Sequence, residues 1–117
     1  MVFFSPDSRQ LVTATADEFR FWETATGSPG LRIKREQGPG LIGRAAFSHD
    51  GKVIAVSLSQ WLVALLEVAT GRELARLEHP DPQMISCLAF NPSGTHLAVA
   101  TEGHVIQLWD LRRLRVE

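Results

Sequence analysis

The stretch FNPSGTHLAVATEGHVIQLWD, residues 90–110, contains the pattern that decides the fold. The turn sequence NPSG separates a phenylalanine from the apolar run LAVAT, and the second turn EGH leads into the apolar run VIQLWD. Pro presets a turn angle, Asn and Ser bond their own backbone, and Gly tolerates a positive φ. Short apolar runs bounded by such turns are typical of β-strands, so the stretch predicts an antiparallel strand pair.

The same pattern occurs twice more along the chain. FSPDSRQLVTATADEFRFWE covers residues 4–23, and FSHDGKVIAVSLSQWLVALLE covers residues 47–67. Two sets of equivalent residues mark the repeat: Phe4, Phe47 and Phe90 at its start, and Trp22, Leu66 and Trp109 near its end. Successive phenylalanines are 43 residues apart. A period of this length indicates stacked supersecondary units rather than an ordinary single-layer domain.

Each full unit predicts four strands, called a to d, in an all-β chain with few helices. The units run over residues 1–36, 41–79 and 84–117 of one partial domain. The last unit nearly lacks its fourth strand, and its ending, LRRLRVE, predicts a short terminal turn. Several apolar positions of strands a and b are expected to be buried: Phe4, Phe47, Phe90, Leu11, Ile54, Leu97 and the thiol of Cys87.

The composition describes one soluble globular unit of 117 residues, with 44% apolar and 21% charged residues. A formal net charge of -1 gives no global reason to expect nucleic acid or an anionic membrane surface. No apolar run approaches the roughly 18–20 residues of a membrane span. The start, MVFFSPDSRQ, lacks the features of a signal peptide, so the expected location is cytoplasmic.

The repeat resembles the WD-repeat family of β-propellers, whose units have four strands and end the third strand with Trp-Asp. Trp109 and Asp110 match that dipeptide, whereas Glu23 and Glu67 stand in place of its Asp in the other units. The resemblance implies three four-stranded antiparallel blades, the last one incomplete. It also implies a non-catalytic scaffold for protein–protein interaction, with a protein partner that the sequence does not name.

The family often carries a hydrogen-bonded set within a blade, made of a His, a Ser or Thr, an Asp and the strand-c Trp. The resemblance implies a structural role, within or next to such a set, for six residues of this chain: Asp17, Trp22, His79, Thr101, Trp109 and Asp110. In the first unit, either Thr13 or Thr15 would be the threonine of the set. In the third unit Gly103 stands where the Asp would be, so no unit has the whole set.

The sequence gives only weak evidence for catalytic or metal-ligating residues. The four histidines, His49, His79, His96 and His104, lack the spacing of a metal site. No nucleophile elbow or phosphate-binding loop is present in the sequence, so we expect no enzyme activity, metal or cofactor. Trp61, in the b–c hairpin of the second unit, is either an exposed contact residue for a partner or a filler for the gap left by Leu66.

Three blades do not close a ring, and two terminal blade faces would leave apolar surface exposed. The sequence therefore predicts a homo-oligomer, either a trimer with nine blades or a dimer with six. An alternative is that the chain is the C-terminal propeller segment of a larger enzyme, such as a kinase-like protein, with a regulatory or substrate-positioning role. The ending LRRLRVE resembles the tail after the last blade of some large bacterial WD-repeat proteins.

Overall fold

The computed structural model describes residues 1–36, 43–59, 62–78, 85–103 and 105–114. These residues form three antiparallel β-sheets with four, four and three strands. Sheet 1 contains β1 (Val2–Phe4), β2 (Gln10–Ala14), β3 (Glu18–Glu23) and β4 (Pro29–Lys34). Sheet 2 contains β5 (Ala45–Phe47), β6 (Val53–Ser59), β7 (Leu62–Glu67) and β8 (Glu73–Glu78). Sheet 3 contains β9 (Ile85–Phe90), β10 (His96–Thr101) and β11 (Ile106–Asp110), and a 3₁₀ helix (Leu111–Leu114) follows it.

Within each sheet the strands follow one another as a meander, with each strand paired to the next in sequence. The register is the same in all three sheets: Leu11 pairs with Trp22, Ile54 with Leu66, and Leu97 with Trp109. The predicted all-β class is confirmed, and so is the repeat. The terminal turn predicted from LRRLRVE corresponds to the 3₁₀ helix in its described part.

The turn between the first two strands of each sheet is held by a serine or asparagine side chain. In sheet 2, the Ser48 hydroxyl donates to Asp50 Oδ1 at 2.7 Å and accepts from the Val53 N–H at 3.1 Å. Asp50 Oδ1 also accepts from the Lys52 N–H at 3.0 Å. In sheet 3, Asn91 Oδ1 accepts the corresponding backbone N–H at 2.8 Å. These local bonds fix the strand pairing before any contact between sheets.

Two apolar layers join the sheets face to face. The first, between sheets 1 and 2, consists of Val12, Ala14, Phe19, Phe21, Ile54, Val56, Leu58, Leu62, Ala64 and Leu66. The second, between sheets 2 and 3, consists of Ala55, Val63, Leu65, Leu77, Ile85, Leu88, Leu97 and Val99. Sheet 2 is covered on both faces, so six of the seven residues of β6 are buried. In β2 and β10, burial alternates because only one face is covered.

The prediction that equivalent strand-a phenylalanines are all buried is wrong for Phe4. Its side chain is 61% exposed, whereas Phe47 and Phe90 are half-buried between sheets. The side chain at this position faces the preceding sheet, and no described residue covers that face of sheet 1. For the same reason Leu11 is only half-buried, although Ile54 and Leu97 are fully buried as predicted.

Cys87 is exposed, and the expectation of a buried thiol is therefore wrong. It lies on β9 with its partner Ala100 on β10, and it points away from sheet 2. The alternation of side chains along a strand places it on the outer face of sheet 3. Sequence pattern alone did not distinguish the covered face of this strand from the open one.

Leu97→Ala and Leu11→Ala test the difference between equivalent positions. Leu97 is 0% exposed, so its truncation should lower the free energy of unfolding by about 2–5 kcal/mol. Leu11→Ala should cost at least about 1 kcal/mol less, because half of this side chain already contacts water. Urea denaturation of both variants, at a protein concentration where the chain is monomeric, measures the difference, and equal losses would contradict the assigned faces.

The aspartates of the first two turns should make stability depend on pH. Hydrogen bonds from Ser5 and from the Arg9 N–H lower the pKa of Asp7, and those from Lys52 and Ser48 lower the pKa of Asp50. A lowered folded-state pKa stabilises the protein fully above the usual aspartate value of about 3.9, and this contribution is lost as pH falls through the folded pKa. Asp7→Asn/Asp50→Asn should therefore lose less free energy of unfolding than the parent between pH of about 5 and about 2. Asp17→Asn is the control, because it makes the same kind of substitution outside these two turns. An identical dependence of the free energy of unfolding on pH in the parent and the double variant would refute the prediction.

Candidate interaction surfaces

Two sheet faces at opposite ends of the stack have no described residue packed over them. We call face 1 the side of sheet 1 that points away from sheet 2, defined by Val2, Phe4, Leu11, Thr13, Arg20 and Trp22. We call face 3 the side of sheet 3 that points away from sheet 2, defined by Cys87, Ala89, Ala98, Ala100, Ile106 and Leu108. Both faces carry large exposed apolar side chains, with Val2 at 64%, Ile106 at 73% and Leu108 at 69% exposure. Such apolar patches mark interaction sites in soluble proteins.

The repeat register relates face 3 to contacts that already exist in the molecule. Leu108 pairs with Ala98, as Leu65 pairs with Ala55 in sheet 2 and Phe21 with Val12 in sheet 1. Leu65 is 5% exposed and Phe21 is 0% exposed, because each packs on the following sheet. Face 3 is therefore the same kind of surface as the two that are buried, without a following sheet on it.

Face 1 corresponds to the other side of the two buried contacts, the side that packs on the preceding sheet. Phe4 corresponds to Phe47 and Phe90, which pack on the preceding sheet. Leu11 corresponds to Ile54 and Leu97, whose side chains are completely buried there. Faces 1 and 3 thus have the character of the two halves of one sheet-to-sheet contact.

Face 1 also carries a polar group. The guanidinium carbon of Arg20 lies 5.4 Å from the centre of the Trp22 ring, within the range of a cation–π contact. The Trp22 indole N–H donates to Thr13 Oγ1 at 3.0 Å. Among the described residues, the buried Arg20 Nε–H finds no acceptor. Face 1 is therefore polar at Arg20 and apolar around Phe4.

In the first unit, the structure brings together two members of the family's hydrogen-bonded set. Trp22 bonds Thr13, and Thr15 instead closes the b–c turn by accepting from the Asp17 and Glu18 N–H groups, each at 3.2 Å. Asp17 is exposed and makes these contacts through its backbone rather than through its carboxylate. The choice between Thr13 and Thr15 was open in the sequence because both precede the turn.

In the third unit, Thr101 and Trp109, the described members of the set, do not bond each other. Thr101 is buried and its hydroxyl donates to the Val105 carbonyl at 3.2 Å, across the b–c turn. Trp109 packs against the second apolar layer, and its indole N–H makes no hydrogen bond within the described ranges. Val99 occupies the place of Thr13, so a hydroxyl acceptor is missing. This replacement was readable from the aligned repeats.

Asp110 ends β11 and contacts the 3₁₀ helix. Arg112 donates to its carboxylate from Nε at 3.0 Å and from Nη2 at 2.9 Å. This bidentate pair holds the pKa of Asp110 well below its usual range. His79 and Trp61, also named from the sequence, lie outside the described residues.

The described residues supply no candidate catalytic or metal centre. No group of three or more His, Cys, Asp or Glu side chains among them is placed to hold a metal ion. In the part of the chain that the structure covers, no helix has the length and apolar content needed to cross a membrane.

Repeated antiparallel sheets of up to four strands, stacked face to face with one register, define a class of blade-repeat proteins. The family profile described as WD domain, G-beta repeat, matches residues 71–110, from the turn before β8 to the end of β11. Residues 71–110 therefore match a WD40 repeat, the family that the chain's repeats resemble. WD40 repeat domains typically act as protein-interaction scaffolds rather than as enzymes.

Distant homologues cover most of the chain. Pre-mRNA-processing factor 19 homolog 2 of Arabidopsis thaliana is 28% identical over 111 residues, which are 94% of this chain and 21% of the relative. A serine-threonine kinase receptor-associated protein of Dictyostelium discoideum is 28% identical over 107 residues, 91% of this chain and 35% of the relative. The small ribosomal subunit protein RACK1z of A. thaliana is 36% identical over 72 residues, 62% of this chain and 21% of the relative. The chain thus spans about a fifth to a third of the length of these relatives.

Thr13→Val tests the bond between Thr13 and Trp22. The substitution reproduces the residue of the third unit and removes the indole acceptor, at a cost of about 0.5–1.5 kcal/mol in the free energy of unfolding. The reciprocal variant, Val99→Thr, should give Trp109 an acceptor and move its indole N–H proton resonance downfield. Urea denaturation and proton NMR make the two measurements. An unchanged Trp22 indole resonance in Thr13→Val would contradict the assigned bond.

Proposed function

We propose that this chain is a non-catalytic WD40 scaffold for protein–protein interaction, built by self-association of three-blade units. Face 1 of one copy packs on face 3 of the next, and the repeated contact closes a ring. The observation that carries this proposal is the register equivalence between the two open faces and the halves of the two buried sheet contacts.

The energetic argument rests on the exposed apolar side chains. Phe4, Ile106 and Leu108 are 61%, 73% and 69% exposed in one chain, while their counterparts lie between packed sheets. Burial of one such side chain stabilises by about 1.5–3 kcal/mol, so a contact that buries several of them offsets the entropy of association. A stable contact of this type should bury roughly 1,200–2,000 Å² in total.

The two faces differ, so the contact is head to tail. Face 1 carries an aromatic and arginine surface, while face 3 carries small and branched aliphatic residues. Unlike faces give a heterologous contact, which forms a closed ring when the rotation between copies allows it. Two copies would supply six blades and three copies nine. The outer surface of this ring would be the scaffold for a foreign protein partner.

A mixing experiment tests the proposal. Leu108→Asp places a charge on face 3 and Phe4→Asp places one on face 1, so each variant alone should be monomeric by sedimentation velocity. A mixture of the two should form a dimer, because one intact face remains on each chain. Ala69→Asp, at an exposed turn of sheet 2, adds the same charge away from both faces and should assemble like the parent.

Cys87 provides an independent reading, because it is the single cysteine of the chain and lies on face 3. Its reaction with a thiol reagent should slow as protein concentration rises, and this protection should be absent in Phe4→Asp. A parent chain that sediments as a folded 13.0 kDa monomer at micromolar concentration would overturn the proposal of self-association. Variants that fail to dimerise when mixed would overturn the head-to-tail arrangement.

A further inference from the structure

The two sheet-to-sheet contacts occupy equivalent places but are filled differently. In the first, the Phe47 ring makes edge contacts with Phe3 and Phe21, at centroid distances of 5.8 Å and 6.1 Å. In the second, Phe90 takes the place of Phe47, but Ala46 and Leu65 take the places of its two aromatic neighbours. The two neighbours of the central phenylalanine are therefore smaller in the second contact, while Trp109 stands where the first contact has Leu66.

The outer part of the same contact shows a third replacement. Leu31, on β4, approaches Gly71 so closely that a Cβ atom added there would lie 2.7 Å from Leu31 Cδ1. Its counterpart on β8 is Ala75, two residues before Leu77 as Leu31 is two before Ile33. The d strand of sheet 2 thus fills less of the gap to the following sheet than that of sheet 1.

The space between neighbouring sheets can be compared at two equivalent turn glycines, Gly51 and Gly94. A Cβ atom added at Gly51 would lie 3.7 Å from Pro6 of sheet 1, in ordinary contact. At Gly94, the matching residue of sheet 3, an added Cβ atom would meet nothing within 4 Å. The first contact is closed at its turn end, and the second is open there.

The result is a cleft of about 940 Å³ between sheets 2 and 3. Its apolar lining comes from both sheets: Val53, Leu65, Ala75, Phe90, Pro92 and Leu111. Clefts of roughly 300–1,000 Å³ with mostly apolar walls and a few polar groups are typical binding sites. All of the lining belongs to one chain, so the cleft exists whether or not the open faces associate.

The charged groups that line the cleft are net negative, with Asp50 and Glu73 against Arg72. Arg72 is the rim cation, and Glu67 of the same sheet lies 3.5 Å from it. Glu73, also on the rim, shares Arg76 with Glu36, so that group of three charges is net negative. Asp50 adds a further negative charge, and the Lys52 ammonium acts on it electrostatically from two residues away.

We propose that this cleft binds a short extended segment of a partner protein, with an aromatic or branched aliphatic anchor inside it and a lysine or arginine at the rim. The first sheet contact shows which side chains fit the space, since Phe21 and Leu31 stand there in the places of Leu65 and Ala75, which line the cleft. The negative rim selects a basic residue beside the anchor. The inference rests on the proposed scaffold role, but not on self-association.

Selection from a random heptapeptide phage library against the immobilised full chain tests the proposal. Enriched peptides should pair an aromatic or branched aliphatic residue with a neighbouring Lys or Arg. A fluorescein-labelled peptide from this set should bind the parent in an anisotropy titration. Replacement of its basic residue by Glu should weaken binding at least tenfold.

Ala75→Leu is the matched protein variant, because it restores the residue of the first contact and fills the cleft. It should weaken peptide binding at least tenfold, while Ala69→Leu, at an exposed turn, should leave it unchanged. On the parent chain, the peptide should shift the methyl NMR resonances of Val53, Leu65 and Ala75, a reading that does not depend on any variant folding.

Four results would overturn the inference: no enriched motif, enrichment of acidic motifs, equal binding by Ala75→Leu, or methyl shifts confined to another surface. Sedimentation velocity on the same samples keeps this result separate from the proposed function. Monomeric chains that still bind the peptide would refute self-association alone, and assembled chains that bind no peptide would refute the cleft alone.

Discussion

Side chains alternate across a β-strand, so each sheet of this protein presents two faces, and the apolar residues of both must leave water. Sheet 2 meets this requirement within the chain, because sheets 1 and 3 cover it on either side and nearly all of β6 is buried. For that reason its interior strands, β6 and β7, are apolar at every position except Ser57, Ser59 and Glu67. The stacking of one sheet on the next is therefore the contact on which the rest of the structure depends.

Sheets 1 and 3 meet the same requirement on one side only. Their outer faces keep the residue types that stacking needs, as Phe4 and Leu108 show, and these side chains lie in solvent in the single chain. The function proposed for the chain follows from this imbalance rather than from any catalytic group. A protein with two unlike, uncovered faces of one repeated contact is suited to assembly in one direction.

Because the three units repeat, differences between equivalent residues can be compared directly. The first sheet contact is closed by the aromatic group around Phe47 and by Leu31, and the second has a cleft lined by Leu65 and Ala75. Likewise, a hydroxyl at Thr13 bonds Trp22, whereas Val99 leaves Trp109 with packing alone. Such differences leave the backbone register unchanged and alter only what the surfaces offer to a partner.

The sequence by itself determined the period, the strand order and the turns, because these depend on local chemistry such as the bonding of Ser48 with Asp50. It also determined which residues are equivalent, and hence the common register. Only the tertiary structure decided which equivalents are buried. Phe4 and Phe90 have the same local sequence context, but one faces solvent and the other faces sheet 2. Burial depends on the neighbouring sheet, which is distant in sequence, and so a local pattern does not specify it.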